Sequence, residues 1–287
     1  MASPDVNAFF DAATNTVSYV VADPATGQCA VIDPVLDYDA AAGRISTHSV
    51  GEIIQFIADQ NLSLDLVLET HVHADHLTAA PVLRKQFDSK IAIGTHIKKV
   101  QKVFCDVFNL GDLATDGSQF DLLLSDGDEV PIGNLTCKVM HTPGHTMGSL
   151  CIVHRDSGVL FSGDMILGTG TTVISPDHGD MAAYIESMRR LLTVKGLTMI
   201  APGHGPVINT PYEKFQELID HRLQREAQVL KLVSEGTGTV DALLEAIYVG
   251  GIHPKLHDTA KNQILSHLAK LERDGRLKSD AAEFSAV

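Results

Sequence analysis

The chain has no tryptophan, and only 5% of its 287 residues are aromatic. A tryptophan stacking platform for nucleic-acid bases is therefore excluded. Cysteine is scarce as well: the four (Cys29, Cys105, Cys137 and Cys151) form no CxxC pair, so no thiolate metal knuckle or dithiol redox motif is spelled out. Cys29, Cys137 and Cys151 lie among apolar residues, as buried free thiols of a reducing, cytoplasmic compartment do; a disulfide is the alternative. No run of about 18 apolar residues exists, so no membrane span is expected. The stretch from Met1 to Asn7 lacks the charged and apolar regions of a secretory leader. Positive charge is also short, with 22 Lys and Arg against 36 Asp and Glu and a net charge of −14. Residues 1–210 hold 12 basic against 24 acidic side chains and residues 211–287 hold 10 against 12. Long-range repulsion of polyanions follows, which weighs against non-specific DNA or RNA binding; the expected partner is a small-molecule substrate.

What is present falls into two patterns. Through residue 210, strand-like and helix-like segments alternate. Val17–Val21, Ala30–Ile32, Asp65–Leu68, Ile91–Ile93, Leu135–Met140, Leu150–Val153, Val159–Phe161 and Thr198–Ile200 read as strands. Ser49–Asn61, with a capping box at Ser49 and Glu52 and apolar spacing at Ile53, Ile54, Ile57 and Leu62, reads as a helix, as do Pro81–Phe87 and Met181–Leu192. The mixture is α/β, and periodicity alone allows either two sheets with helices outside or one ordinary α/β sheet. From Thr210 the pattern is helical: a helix from Thr210-Pro211 to about Glu235, a short one capped by Thr239, and a third over His257–Asp274. This divides the chain into a domain of residues 1–210 and a smaller helical one of residues 211–287.

The chemistry concentrates at Thr70-His71-Val72-His73-Ala74-Asp75-His76, immediately after an apolar strand. Three imidazoles and a carboxylate replace the Gly or Pro turn usual there. On a loop leaving a strand, His71 and His73 can point the same way and hold one metal, with Asp75 and His76 holding a second. Such ligands suit zinc, iron, manganese or nickel. Three further candidates sit at strand ends followed by tight turns: His145 in His141-Thr142-Pro143-Gly144-His145-Thr146, Asp164 in Phe161-Ser162-Gly163-Asp164, and His204 in Ala201-Pro202-Gly203-His204-Gly205-Pro206. The ends of strands are where α/β sites lie.

In this order and spacing, THxHxDH, HTPGHT, SGD and PGHGP resemble the metallo-β-lactamase superfamily over residues 15–210. The resemblance implies an αββα sandwich. It implies that one metal takes His71, His73 and His145, that a second takes Asp75, His76 and His204, and that Asp164 bridges the two together with a water or hydroxide. Two divalent ions, zinc with iron as the alternative, are the implied cofactors. Asp75 and Asp164 are the candidate catalytic residues, Asp75 orienting the water and taking its proton.

The likeness divides within the chain. Residues 33–145 resemble persulfide dioxygenases, through Asp33-Pro34-Val35-Leu36-Asp37-Tyr38-Asp39, Glu69-Thr70-His71, Ile93-Gly94, Phe108-Asn109 and Asp116-Gly117-Ser118-Gln119-Phe120-Asp121. That family implies iron at His71, His145 and Asp164 and glutathione persulfide as substrate. Residues 146–280 resemble lactamase-β-like endoribonucleases and thioesterases with a winged-helix C-terminus, through the SGD and PGHGP segments, Ile166–Val173, and Ile219-Asp220-His221-Arg222 with Arg225-Glu226. A natural mosaic or a recombined chimera would give this pattern. The leading expectation is a dinuclear hydrolase acting on an ester, thioester, lactone or β-lactam. A persulfide dioxygenase is the first alternative. An endoribonuclease using Lys261, Lys270, Arg273, Arg276 and Lys278 on phosphates is the second, although Glu272, Asp274 and Asp280 interleave with them. Among the remaining residues, His141 is a candidate support for a ligand, Phe104, Phe108 and Phe120 line a substrate mouth or pack in the core, and His221 and Arg222 approach the site from the C-terminal helix.

Overall fold

A computed structural model describes residues 3–73, 75–108, 111–280 and 283–286, without the side chains of 106–108. Ala74, Asn109 and the Phe108 side chain, part of the motifs above, lie outside the described residues. The chain forms two compact units. One comprises Met1–Thr142, Gly148–Gly170 and Lys195–Pro211, and the other comprises Pro143–Met147, Thr171–Val194 and Tyr212–Val287.

In chain order the first unit contributes β1 (Asp5–Asp11), β2 (Thr16–Ala22), β3 (Gln28–Ile32), β4 (Val35–Asp39), β5 (Arg44–Ser46), α1 (His48–Asp59), β6 (Ser63–Leu68), β7 (Leu77–Thr78), α2 (Ala80–Phe87), β8 (Lys90–Gly94), α3 (Ile97–Phe108), β9 (Leu122–Leu124), β10 (Glu129–Ile132), β11 (Leu135–His141), β12 (Leu150–His154) and β13 (Val159–Gly163). Helix α4 (Met181–Leu192) belongs to the second unit and β14 (Met199–Pro202) to the first. The second unit ends with α5 (Pro211–Ser234), α6 (Val240–Ile247), α7 (His257–Arg273) and the hairpin β15 (Leu277–Asp280) and β16 (Glu283–Ala286).

Two sheets build the first unit, in the orders β1-β2-β3-β6-β8-β9 and β10-β11-β12-β13-β14. Strands β3, β6, β8 and β9 run parallel, so α1, α2 and α3 serve as their crossovers. Side-chain alternation explains the layers. On β2, Val17, Tyr19 and Val21 join one core with Val130, Val139, Ile152 and Phe161 of the second sheet. On the same strand Val20 and Ala22 join a second core with Ile53 and Ile57 of α1 and Leu83 of α2. Covered on both faces, β2 is buried throughout, and only Thr16 and Ser18 of its seven residues are polar. A three-stranded sheet, β5-β4-β7, stands apart from these two.

In the second unit α5, α6, α7 and β15 close around Val229, Val233, Leu243, Leu244, Ile264, Leu268, Leu271 and Leu277. Thr239 caps α6 by accepting from the Ala242 amide. Tyr184 and Met188 of α4 are fully buried.

Some local expectations need correction. Ser49 and Glu52 form no capping box: α1 begins at His48 without a side-chain cap, and the Ser49 hydroxyl donates to Asp37 at 2.6 Å instead. Leu62 lies beyond the end of α1 and joins the core beneath it from the following turn. Helix α3 was not among the expected elements, although Ile97, Val100 and Phe104 mark its apolar face. The four cysteines are free, and Cys29, Cys137 and Cys151 are buried as expected. Among the described residues, no helix is long and apolar enough to cross a membrane.

Candidate metal centre

Three strand ends supply the site residues of the first unit. His71 follows β6, Asp164 follows β13 and His204 follows β14. Because β13 and β14 are parallel, with Gly163 opposite Pro202, Asp164 and His204 leave the sheet at the same end. Gly163 has φ 47° and faces the Thr70 side chain so closely that a Cβ would collide with it. Only glycine combines this left-handed backbone with that approach. Strand β2 fixes the His204 loop: Val17 donates its amide to Gly203 O at 2.7 Å, and the Tyr19 hydroxyl donates to Pro202 O at 2.8 Å. His204 Nδ1 meets Asn15 O at 2.8 Å, which makes Nδ1 the protonated nitrogen and leaves Nε2 for the site.

Six of the seven candidate ligands come together here. His204 Nε2 lies 3.3 Å from Asp75 Oδ2 and 3.4 Å from Asp164 Oδ2. His71 Nε2 lies 3.7 Å from Asp164 Oδ2. The His73 ring sits 4.2 Å from that of His71 and 4.1 Å from that of His76, centroid to centroid. Ligand atoms of Asp75, Asp164 and His204 all lie within 4.8 Å of one another, as do those of His73, Asp75 and His76.

Two buried carboxylates that sequence reasoning left without a site role also reach the cluster. His73 Nε2 lies 3.2 Å from Asp33 Oδ1 and 3.3 Å from Glu69 Oε2. Asp33 accepts the Thr70 amide and hydroxyl, each at 2.7 Å, and Glu69 accepts from the Thr78 hydroxyl. With Nε2 turned to these acids, His73 keeps Nδ1 for another partner. The signal was present: both acids stand directly after all-apolar strand ends, where a charge has no solvent.

The charges are strongly coupled. Burial works against protonating His73, but Asp33 and Glu69 outweigh it and raise its pKa well above the usual value. Hydrogen bonds to Asp164 and Asp75 push His204 up to about 10. Burial raises Asp75, yet the His204 hydrogen bond and the charge of His76 hold it well below the usual carboxylate range. Burial and the charge of His73 lower His76. The cluster thus favours positive charge. It also fits divalent cations chemically. The donors are imidazole nitrogens and carboxylate oxygens, and His76 Nε2 is buried without a hydrogen-bond partner, a cost that coordination removes.

His145 stands in the second unit. Its Nδ1 lies 2.7 Å from Val173 O and 3.1 Å from Thr172 Oγ1. Gly144 before it has φ 151°, and a Cβ there would meet the Tyr184 Cα at 2.5 Å. The glycine lets the loop lie against α4.

The other singled-out residues find ordinary settings. The rings of His141 and His96 stack 3.9 Å apart. His154 Nδ1 meets the Ser157 hydroxyl at 2.7 Å. Phe104 and Phe120 pack with Ile93, Ile97 and Val100, so core packing accounts for them. Lys261 pairs with Asp241 at 2.7 Å, Lys270 with Glu226 at 2.9 Å, and Arg273 with Asp180 through both nitrogens at 2.5 and 3.1 Å.

Comparison with known proteins agrees with this geometry. The model of the metallo-beta-lactamase superfamily matches residues 12–204, and that of the beta-lactamase associated winged helix domain matches residues 239–284. A probable metallo-hydrolase of Burkholderia pseudomallei is 37% identical over 241 residues, 80% of this chain and 82% of that protein. A beta-lactamase hydrolase-like protein of Xylella fastidiosa is 33% identical over 96% of this chain, which spans 63% of that protein's length. The crystal structure of ETHE1 from Myxococcus xanthus superposes with a TM-score of 0.60 at 25% identity, covering 92% of this chain and all (100%) of that one. A histidine-rich loop after β6, an aspartate after β13 and a histidine after β14, on two facing sheets and matched over two thirds of the length, establish that the chain belongs to the metallo-β-lactamase superfamily, as a metal-binding hydrolase with the associated winged helix domain.

Proposed function

We propose that the chain is a dinuclear hydrolase of an ester, thioester, lactone or β-lactam, a small-molecule substrate met in the cytoplasm. His71, His73 and His145 would hold one divalent ion, Asp75, His76 and His204 the other, and Asp164 both. Zinc is the proposed metal and iron the alternative. The functional division is placed at residue 210, the site lying in residues 1–210. The observation that carries the reading is the meeting of Asp75, Asp164 and His204, whose ligand atoms lie within 4.8 Å although three separate strand ends deliver them. Two divalent ions so held supply Lewis acidity and a water acidic enough to ionise near neutrality. The residues supply the rest. Asp75 accepts from the Thr16 hydroxyl at 3.1 Å, which holds its carboxylate beside His204; besides its ligand role it would orient the water and take its proton. Asn15 and Asp33 fix the rings of His204 and His73 and so set which nitrogen of each faces the site.

A second reading, an iron-dependent glutathione persulfide dioxygenase, draws on the resemblance of residues 33–145 and on the likeness to ETHE1. An endoribonuclease finds less support, because Lys261, Lys270 and Arg273 are already paired with carboxylates. The experiment is metal analysis of the purified protein beside assays on a thioester, a β-lactam and a glutathione persulfide. Hydrolysis with two metals per chain supports the leading reading. Oxygen consumption on the persulfide with one iron per chain replaces it with the second.

A further inference from the structure

Residues 171–175 have no regular structure, so no strand or helix ladder fixes their carbonyls. Yet Val173 O is the partner of His145 Nδ1 at 2.7 Å, and Thr172 Oγ1 lies 3.1 Å from the same nitrogen. Two C-terminal helices hold this segment on both sides of Val173. Arg222 of α5 donates Nη2 to Thr172 O at 2.7 Å, and Gln263 of α7 donates Nε2 to the same oxygen at 2.8 Å. The two side chains are joined to each other, Arg222 Nη1 to Gln263 Oε1 at 3.1 Å. Beyond Val173, Ser266 of α7 donates its hydroxyl to Ile174 O at 2.5 Å. The Arg222 guanidinium also lies 5.2 Å over the ring of Tyr184, the residue against which Gly144 packs.

Arg222 is only 2% exposed, without a carboxylate to neutralise it among these contacts. Burying a guanidinium is costly, and nothing in the packing requires one. Its planar fork does what an apolar side chain cannot: it holds a bare carbonyl and a second side chain at fixed angles. We propose that Arg222, with Gln263 and Ser266, is a positioning residue for His145. Helices α5 and α7 clamp residues 172–174 and thereby fix the tautomer and direction of a metal-binding imidazole. This rests on the reading of His145 as a ligand given above.

The test measures cobalt(II) affinity by chelator competition and the visible spectrum of the cobalt protein, with thermal unfolding of the metal-free protein as the control for folding. Arg222→Met should weaken binding about tenfold or more, within the range typical of residues that orient a ligand, and should shift the cobalt bands. Arg222→Lys should recover part of both. Arg273→Met cuts the pair with Asp180 in the same unit and should leave affinity and spectrum as they were. If Arg222→Met does not fold, Gln263→Leu and Ser266→Ala are read the same way. Unchanged affinity and spectrum in these variants, or equal changes in Arg273→Met, would overturn the positioning role. His145→Ala separates the two claims. If it too leaves the metal unaffected, the ligand assignment itself falls; if it weakens binding while the Arg222 and Gln263 variants do not, only the clamp falls.

Discussion

At the scale of single residues, the site is a set of imidazoles balanced against carboxylates. His204, with a pKa pushed up to about 10 by Asp164 and Asp75, carries a proton at neutral pH. A metal ion must displace that proton, so uptake should release protons, and affinity should rise with pH by about tenfold per unit for each proton displaced. Calorimetry in buffers of different ionisation enthalpy measures the release; a pH-independent affinity between pH 6 and 8 would contradict it. Asp164 touches both His71 and His204. Asp164→Ala should reduce metal content and lower kcat by more than the roughly 10–100-fold typical of residues that only orient a ligand. Retention of both by the variant would remove the residue from the site.

The candidate ligands were legible because imidazoles at buried strand ends have few other uses. Asp33 and Glu69 were quoted in motifs but not read as parts of the site, because their role is to hold His73, a contact made in space rather than along the chain.

At the scale of elements, buried strands were readable where apolar residues dominate, as in β2, β3 and β6, and so were the crossover helices α1 and α2. Strands with little burial, β1 and β5, were not. β1 is only partly buried, and β5 is exposed along its whole length. The winged helix was legible in its capping signals but not in its interior, where α7 places His267 with both ring nitrogens buried and unpartnered. Burial, aided by the charges of Arg222, Arg225, His221 and Lys270, lowers His267 from 6.5 to about 3. The folded protein therefore holds it neutral while the unfolded chain protonates near 6.5. Its contribution to stability is present above pH 6.5 and is lost as pH falls towards 3, with a slope of about 1.4 kcal/mol per unit. His267→Leu should remove that slope between pH 7 and 5 in denaturant titrations of the metal-free protein. Parallel pH profiles for the two proteins would show that the imidazole is not buried as described. Gly144→Ala would force a Cβ against Tyr184 and should cost about 1–3 kcal/mol in the same measurement, as overpacking does.

For the whole molecule, a net charge of −14 and a cluster of acids at the site make bound divalent ions a large part of the electrostatic balance. An ion that binds only the folded state stabilises it by mass action, so chelation should lower Tm and readdition should restore it. The negative field should keep association with RNA weak at physiological salt, and fluorescence anisotropy with a labelled oligonucleotide checks this. The central claim is that side chains from separate strand ends bind two cations. Titration of the metal-free protein with zinc, followed by mass-spectrometric metal counting, tests it most directly. The account predicts an endpoint of two ions per chain, falling in both Asp164→Ala and His204→Ala. An endpoint of one ion or none, or one that neither substitution changes, would contradict it.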